Sequence, residues 1–283
     1  HVAERDDVAM VEAQAQQRVV ELVLQRAARQ RPHPQLLGYQ VAAALDAGHA
    51  TQLSEHEGGI ARLWARADLP PAVAAYVEAV RPLNPKGTLT AYPGSPWIAF
   101  QRLRADDRLR LFELHPTDAQ ALQAHIDQLD AGRQVSMARQ DGFEALKALL
   151  PPPASGSGSR RALVLIDPSY EIKTDYAKVA AAIQDGLRRF ATGVYLVWYP
   201  IIPRPEAHGL PRRLRTLAQQ ADRPWLHATL AIGSAPGATG LAASGMFVIN
   251  PPHTLHAALS EALPCMVDLM GQDRNATYAL EAG

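Results

Sequence analysis

The sequence predicts an α/β domain built on a mainly parallel sheet. Two observations carry this: strand-like apolar runs alternate with helix-like segments from residue 88 onward, and the units repeat at about the length of one strand plus one helix. A third is the run Ala162-Leu163-Val164-Leu165-Ile166. It has no polar alternation, as expected of a strand covered on both faces.

Taken in order, residues 11–30 are dense in Ala, Glu, Gln, Leu and Arg with clustered Val and Leu, which predicts a helix. Residues 36–45 fit either a strand or a second helix, and Asp46-Ala47-Gly48-His49 reads as the turn after it. Residues 58–81 read as a short helical pair broken near Leu69-Pro70-Pro71. The alternation that follows gives strand 109–114, helix 117–129, strand 134–138 and helix 143–150. The Pro-, Ser- and Gly-rich stretch 151–159 is an exposed punctuating loop. Beyond it come strand 162–166, helix 175–190, strand 194–198, helix 212–220, and strands 226–232 and 246–249. The expected organisation is an N-terminal segment 1–57, a helical insertion 58–87 and an α/β core 88–283.

Composition narrows the function classes. At 283 residues, 47% hydrophobic and 20% charged, the chain can bury a sizeable core. A net charge of zero excludes a strongly basic nucleic-acid coat, so any nucleic acid must bind at a local patch. Of 28 basic residues only Lys86, Lys147, Lys173 and Lys178 are lysines. The single Cys265 rules out an internal disulfide framework and a cysteine zinc cluster, and fits a reducing cytoplasm. The nearest His pair, His253 and His256, lacks accompanying carboxylates, so no metal site is expected. No apolar run of about 18 residues suggests a membrane span, and no leader is read.

The chemistry concentrates at Asp167-Pro168-Ser169-Tyr170, where the buried strand should end. A carboxylate and the Pro168 carbonyl can accept the two hydrogen bonds of an exocyclic amine, and the Tyr170 ring offers a stacking face for a flat base. This is similar to the Asp-Pro-Pro-Tyr signature of AdoMet-dependent amino-methyltransferases; as four isolated residues it also suits a turn. Glu113 and Asp141 each follow a predicted strand, 28 residues apart, and Asp167 follows 26 further on. Three acids in phase can line one rim of a parallel sheet, where ligands bind; capping or loop roles remain open for Glu113 and Asp141. Ser95 either caps a helix or faces a carboxylate-bearing ligand. Asn250-Pro251-Pro252 is a second possible signature, but His253 stands where an aromatic is wanted, so Asn250 is read as a structural turn. Arg204, Arg212, Arg213 and Arg215 form either the candidate phosphate patch or, equally, a solvated helix face.

The blocks Gly59-Ile60-Ala61-Arg62-Leu63-Trp64, Tyr92-Pro93-Gly94-Ser95-Pro96, Glu113-Leu114-His115-Pro116, Asp141-Gly142-Phe143, Asp167-Pro168-Ser169-Tyr170-Glu171, Arg189-Phe190-Ala191-Thr192-Gly193, Trp198-Tyr199-Pro200 and Ala243-Ser244-Gly245-Met246 occur in this order. Together they resemble the RlmJ family of bacterial 23S ribosomal RNA adenine-N6 methyltransferases, from about residue 58 to the C-terminus. The resemblance implies a Rossmann-like class I AdoMet methyltransferase fold with a small helical insertion. It also implies S-adenosyl-L-methionine as cofactor and 23S ribosomal RNA, protein-free or early in assembly, as substrate. Ser95, Glu113, Asp141, Gly142 and Asp167 match its cofactor-binding positions, Asp167 its catalytic acid, and Pro168 and Tyr170 its substrate contacts. Ser169 replaces the second proline of the family signature. Residues 1–57 lack the family's His-Ala-Gly-Asn segment and its glycine-rich turn, which predicts weak AdoMet binding. The alternatives are an RNA-binding protein of the same fold and a DNA adenine-N6 methyltransferase.

Overall fold

The computed structural model describes residues 40–45 as a strand, and residues 59–89, 91, 93–129, 131–154, 160–233 and 243–283 in full. The predicted helix 11–30, the turn at 46–49 and the glycine-loop question all lie outside these residues. Eight strands form a single sheet in the order β3-β2-β1-β4-β5-β7-β6-β8. They are β1 (Gln40–Leu45), β2 (Arg108–Phe112), β3 (Val135–Ala138), β4 (Ala162–Asp167), β5 (Val194–Pro200), β6 (Trp225–Ala231), β7 (Ala243–Ile249) and β8 (Thr277–Ala282). The first five are parallel, whereas β7 runs antiparallel between β5 and β6, and β8 adds an antiparallel edge. The ambiguous segment 36–45 thus supplies a strand, and it occupies the middle of the parallel block.

The helices are α1 (Ala61–Trp64), α2 (Pro71–Val80), α3 (Ser95–Phe100), α4 (Pro116–Gln128), α5 (Gly142–Leu149), α6 (Thr174–Arg189), α7 (Pro205–Gln220) and α8 (Leu255–Met270). In α6 the buried Tyr176, Val179, Ala180, Ile183 and Leu187 recur at helical spacing and make one apolar stripe, leaving Lys178, Arg188 and Arg189 exposed, while Asp175 in the first turn is buried. α5, α6 and α7 pack side by side, while α1 and α2 pack on α8. The helical pair foreseen around Leu69-Pro70-Pro71 is α1 and α2, with Pro71 at the start of α2, where its missing N–H costs nothing. β4 is buried at every position, as its unbroken apolar run requires.

Three elements differ from expectation. α7 begins at Pro205 rather than at 212, because Pro211 is carried inside the helix on the phase of buried Ala207, Leu210, Leu214 and Ala218. α8, likewise with an internal proline, Pro264, was not foreseen, nor was β8, which is exposed on both faces at most positions.

Within the antiparallel wing, the Tyr199 hydroxyl and His227 Nε2 lie 2.8 Å apart and both side chains are buried. Burial pushes the His227 pKa down from 6.5 to about 4. The unfolded chain therefore binds a proton below pH 6.5 that the folded chain refuses. Stability from the neutral imidazole is complete above pH 6.5 and is expected to drain away as pH falls toward 4, by about 3 kcal/mol at most. Denaturant melts across this window should show it, and His227→Gln should flatten the slope; an unchanged slope would refute the assignment.

Candidate active site

The sheet reverses its winding between β1 and β4, and the crevice beyond the carboxyl ends of the strands at such a point is where α/β sheets bind ligands. The register puts the acids there. Ala44 pairs with Phe112 on one side and Ile166 on the other, and Phe112 pairs with Ala138. Glu113 and Asp167 are each one residue beyond this row, and Asp141 is three beyond Ala138. The three acids occupy one rim.

Their environments differ. Glu113 is buried and its Oε1 accepts a 2.7 Å hydrogen bond from the His115 amide. This holds the carboxylate at the end of β2, with the 62% exposed Leu114 beside it. Asp141 is the N-cap of α5, its Oδ1 accepting from the Phe143 amide at 2.8 Å, and Gly142 is the first helical residue. The capping role is therefore realised. Ser95 is buried and is the first helical residue of α3, whose N-cap is Gly94.

Asp167 is the last residue of β4 and is buried. Pro168 and Ser169 are half-buried, and the Pro168 carbonyl is engaged by no donor among the described residues. Tyr170 departs from expectation. Its ring is only 2% exposed, lies 4.7 Å from the Tyr176 ring and 6.1 Å from that of Trp198, and its hydroxyl donates to the Trp198 carbonyl at 2.5 Å. An open stacking face is not presented, because the ring anchors the loop in the core; burial also pushes its pKa up. At φ 56° the residue is in the left-handed region, which costs a non-glycine residue free energy and needs surrounding structure to hold it. Arg204, preceding α7, helps to do so by donating to the Tyr170 carbonyl at 3.2 Å.

The four-arginine patch is divided. Arg204 braces the motif loop, Arg215 pairs with Glu281 and lies 4.6 Å over the Trp225 ring, and Arg212 and Arg213 are exposed. Asn250 is a structural turn as read. At φ 56° it donates Nδ2 hydrogen bonds to the Ala191 and Gly193 carbonyls at 2.8 and 2.6 Å. It follows the antiparallel β7, on the rim opposite Asp167.

Among the described residues no helix is long and apolar enough to cross a membrane, and no group of His, Cys, Asp and Glu could hold a metal ion.

A parallel block ordered 3-2-1-4-5, an antiparallel strand 7 inserted before strand 6, and acids at the switch-point rim define a class I AdoMet methyltransferase fold. The chain belongs to the family described as "Ribosomal RNA large subunit methyltransferase D, RlmJ", whose model matches residues 38–281. That match starts upstream of the quoted blocks and includes β1. The chain is 43% identical to the Ribosomal RNA large subunit methyltransferase J of Escherichia coli (strain K12), over 78% of this chain and 75% of that one. It is 38% identical to the protein of the same name from Haemophilus influenzae, over 84% and 81%. A crystal structure of a Legionella pneumophila protein matches with a TM-score of 0.78 at 28% identity, covering 99% of this chain and 98% of that one.

Proposed function

We propose that this protein transfers a methyl group from AdoMet to N6 of an adenine in 23S ribosomal RNA, in the cytoplasm. The observation that carries the reading is Asp167, buried at the switch point and followed by a carbonyl with no donor among the described residues. Family membership and the names of the relatives support the substrate class.

The residues present fit the cofactor. The buried, pre-oriented Glu113 carboxylate suits the two hydroxyls of a ribose, the Asp141-Gly142 turn suits an adenine edge, and Ser95 suits the amino-acid portion. Bound AdoMet supplies an electrophilic methyl on its sulfonium. The protein's contribution is orientation and proton handling. The adenine amine is a poor nucleophile because its lone pair is delocalised into the ring. Asp167 and the Pro168 carbonyl each accept a hydrogen bond from one amine N–H, which turns the lone pair out of conjugation and fixes its direction. As the nitrogen gains positive charge, Asp167 takes the proton. The base is everted from its helix to reach this crevice.

The test is transfer of labelled methyl from AdoMet to protein-free 23S rRNA, with digestion to identify N6-methyladenosine. RNA is expected to be labelled in preference to duplex DNA carrying the same adenine, and equal labelling of the duplex would overturn the RNA assignment. For the cofactor half of the site, Glu113→Ala is expected to weaken AdoMet by about 1.5 to 3 kcal/mol, the range for a hydrogen bond to a charged group. Calorimetry giving the parent's affinity would refute that role.

A further inference from the structure

Behind the motif loop lies a set of polar groups that the reaction above does not use. The Tyr176 hydroxyl, on the first turn of α6, is buried and has no hydrogen-bond partner among the described residues, and the same holds for Glu206 Oε2 on the first turn of α7. The two helices are neighbours. The Tyr176 ring lies tilted against that of Tyr170 at 4.7 Å, and Arg204, the residue preceding α7, reaches the Tyr170 carbonyl. Arg204 and Glu206 are two residues apart at the start of α7, and burial raises the Tyr176 pKa.

A buried hydroxyl or carboxylate oxygen left without a partner costs about 1 to 3 kcal/mol, and a ligand that completes it recovers that cost. We infer that the Tyr176 hydroxyl, Arg204 and Glu206 form a ribose–phosphate subsite for the adenine nucleotide presented to Asp167, an assignment that rests on the proposed function. The chemistry matches on each side. A cation, a hydroxyl donor and two 16-residue helices opening at the same rim suit a phosphate. A carboxylate oxygen cannot receive a phosphate but accepts a hydrogen bond from a ribose 2′-hydroxyl, the group that separates RNA from DNA. The buried Tyr170 ring then serves as the floor that positions Tyr176.

The test uses the full chain and a 23S rRNA hairpin fragment that the parent methylates. Tyr176→Phe is expected to weaken hairpin binding, read by fluorescence anisotropy, and to raise the KM for RNA about tenfold, the scale of one hydrogen bond to a charged group. AdoMet affinity should be unchanged and Tm not lowered, since the hydroxyl has no partner to lose. The parent should prefer the all-ribose hairpin about tenfold over one carrying 2′-deoxyadenosine at the target, and Glu206→Ala should erase that preference. Unchanged RNA affinity in Tyr176→Phe overturns the subsite, as does a fall in Tm with RNA affinity retained, which would put the partner within the chain. A parent that labels no RNA overturns the functional reading itself, whereas labelled RNA with the parent's KM in Tyr176→Phe overturns the subsite alone.

Discussion

Asp167→Ala is expected to reduce methyl transfer by about 1,000-fold or more while the protein stays folded and AdoMet affinity is nearly unchanged. Orientation of the amine and acceptance of its proton are both assigned to this carboxylate, and general acid–base assistance alone is typically worth about 100- to 10,000-fold. The position explains the selectivity of the effect. Asp167 ends β4 in register with Leu45 of β1, at the switch point and away from the β2 and β3 ends that carry Glu113 and Asp141, the residues proposed for the cofactor. Asp167→Asn separates the two contributions. It keeps the shape but presents an amide that cannot take the proton, so a residual rate above that of the alanine variant measures orientation. Single-turnover transfer of labelled methyl to RNA is the measurement, with AdoMet affinity and Tm as controls. A rate within about threefold of the parent would remove Asp167 from the mechanism.

The rim of acids was legible because it depends on chain-local features: where apolar runs stop and how many residues one strand-helix unit consumes. Ile166 ends such a run, so Asp167 could be placed without knowing the rest of the sheet. What could not be read depends on tertiary packing. Pro211 and Pro264 are helix breakers by local rule, yet both are tolerated inside helices whose apolar faces are buried at Leu210 and Leu214 and at Leu263 and Met266. β8 leaves most of its residues exposed, so its sequence Thr277-Tyr278-Ala279-Leu280-Glu281-Ala282 shows neither an apolar run nor clean alternation. Aromatics after an acid and a proline suit base stacking, which predicts an outward-facing Tyr170 ring. Its left-handed backbone turns the ring onto Tyr176 and Trp198 instead, and nothing in four residues signals the sign of φ. Arg204 and Tyr176 likewise acquire meaning only when α6 and α7 are set side by side.

The same dependence on packing makes Gly245→Ala the substitution expected to cost most in stability. Gly245 is in the middle of β7, paired with Tyr199 of β5 and Thr229 of β6. The Tyr199 side chain crosses above it to reach His227. A Cβ at this position would stand 2.5 Å from both the Tyr199 Cε1 atom and its hydroxyl, far inside van der Waals contact. The ring cannot withdraw without breaking the buried pair with His227, so overpacking and a lost buried hydrogen bond act together. The expected destabilisation is about 3 to 5 kcal/mol, which for a chain of this size corresponds to a Tm drop of roughly 10 °C. If the mechanism is steric, removing the obstacle should recover most of the loss. Gly245→Ala combined with Tyr199→Leu should be markedly less destabilised than the sum of the two single variants, the coupling expected of residues in contact. Additive losses would mean that Gly245 is needed for its backbone freedom rather than for the passage of Tyr199. The rim proposed for methyl transfer lies at the other side of β5, where β4 and β1 end. The folded fraction of Gly245→Ala should therefore keep the parent's AdoMet affinity, and a loss of affinity per folded molecule would show that the antiparallel wing and the cofactor site are energetically joined.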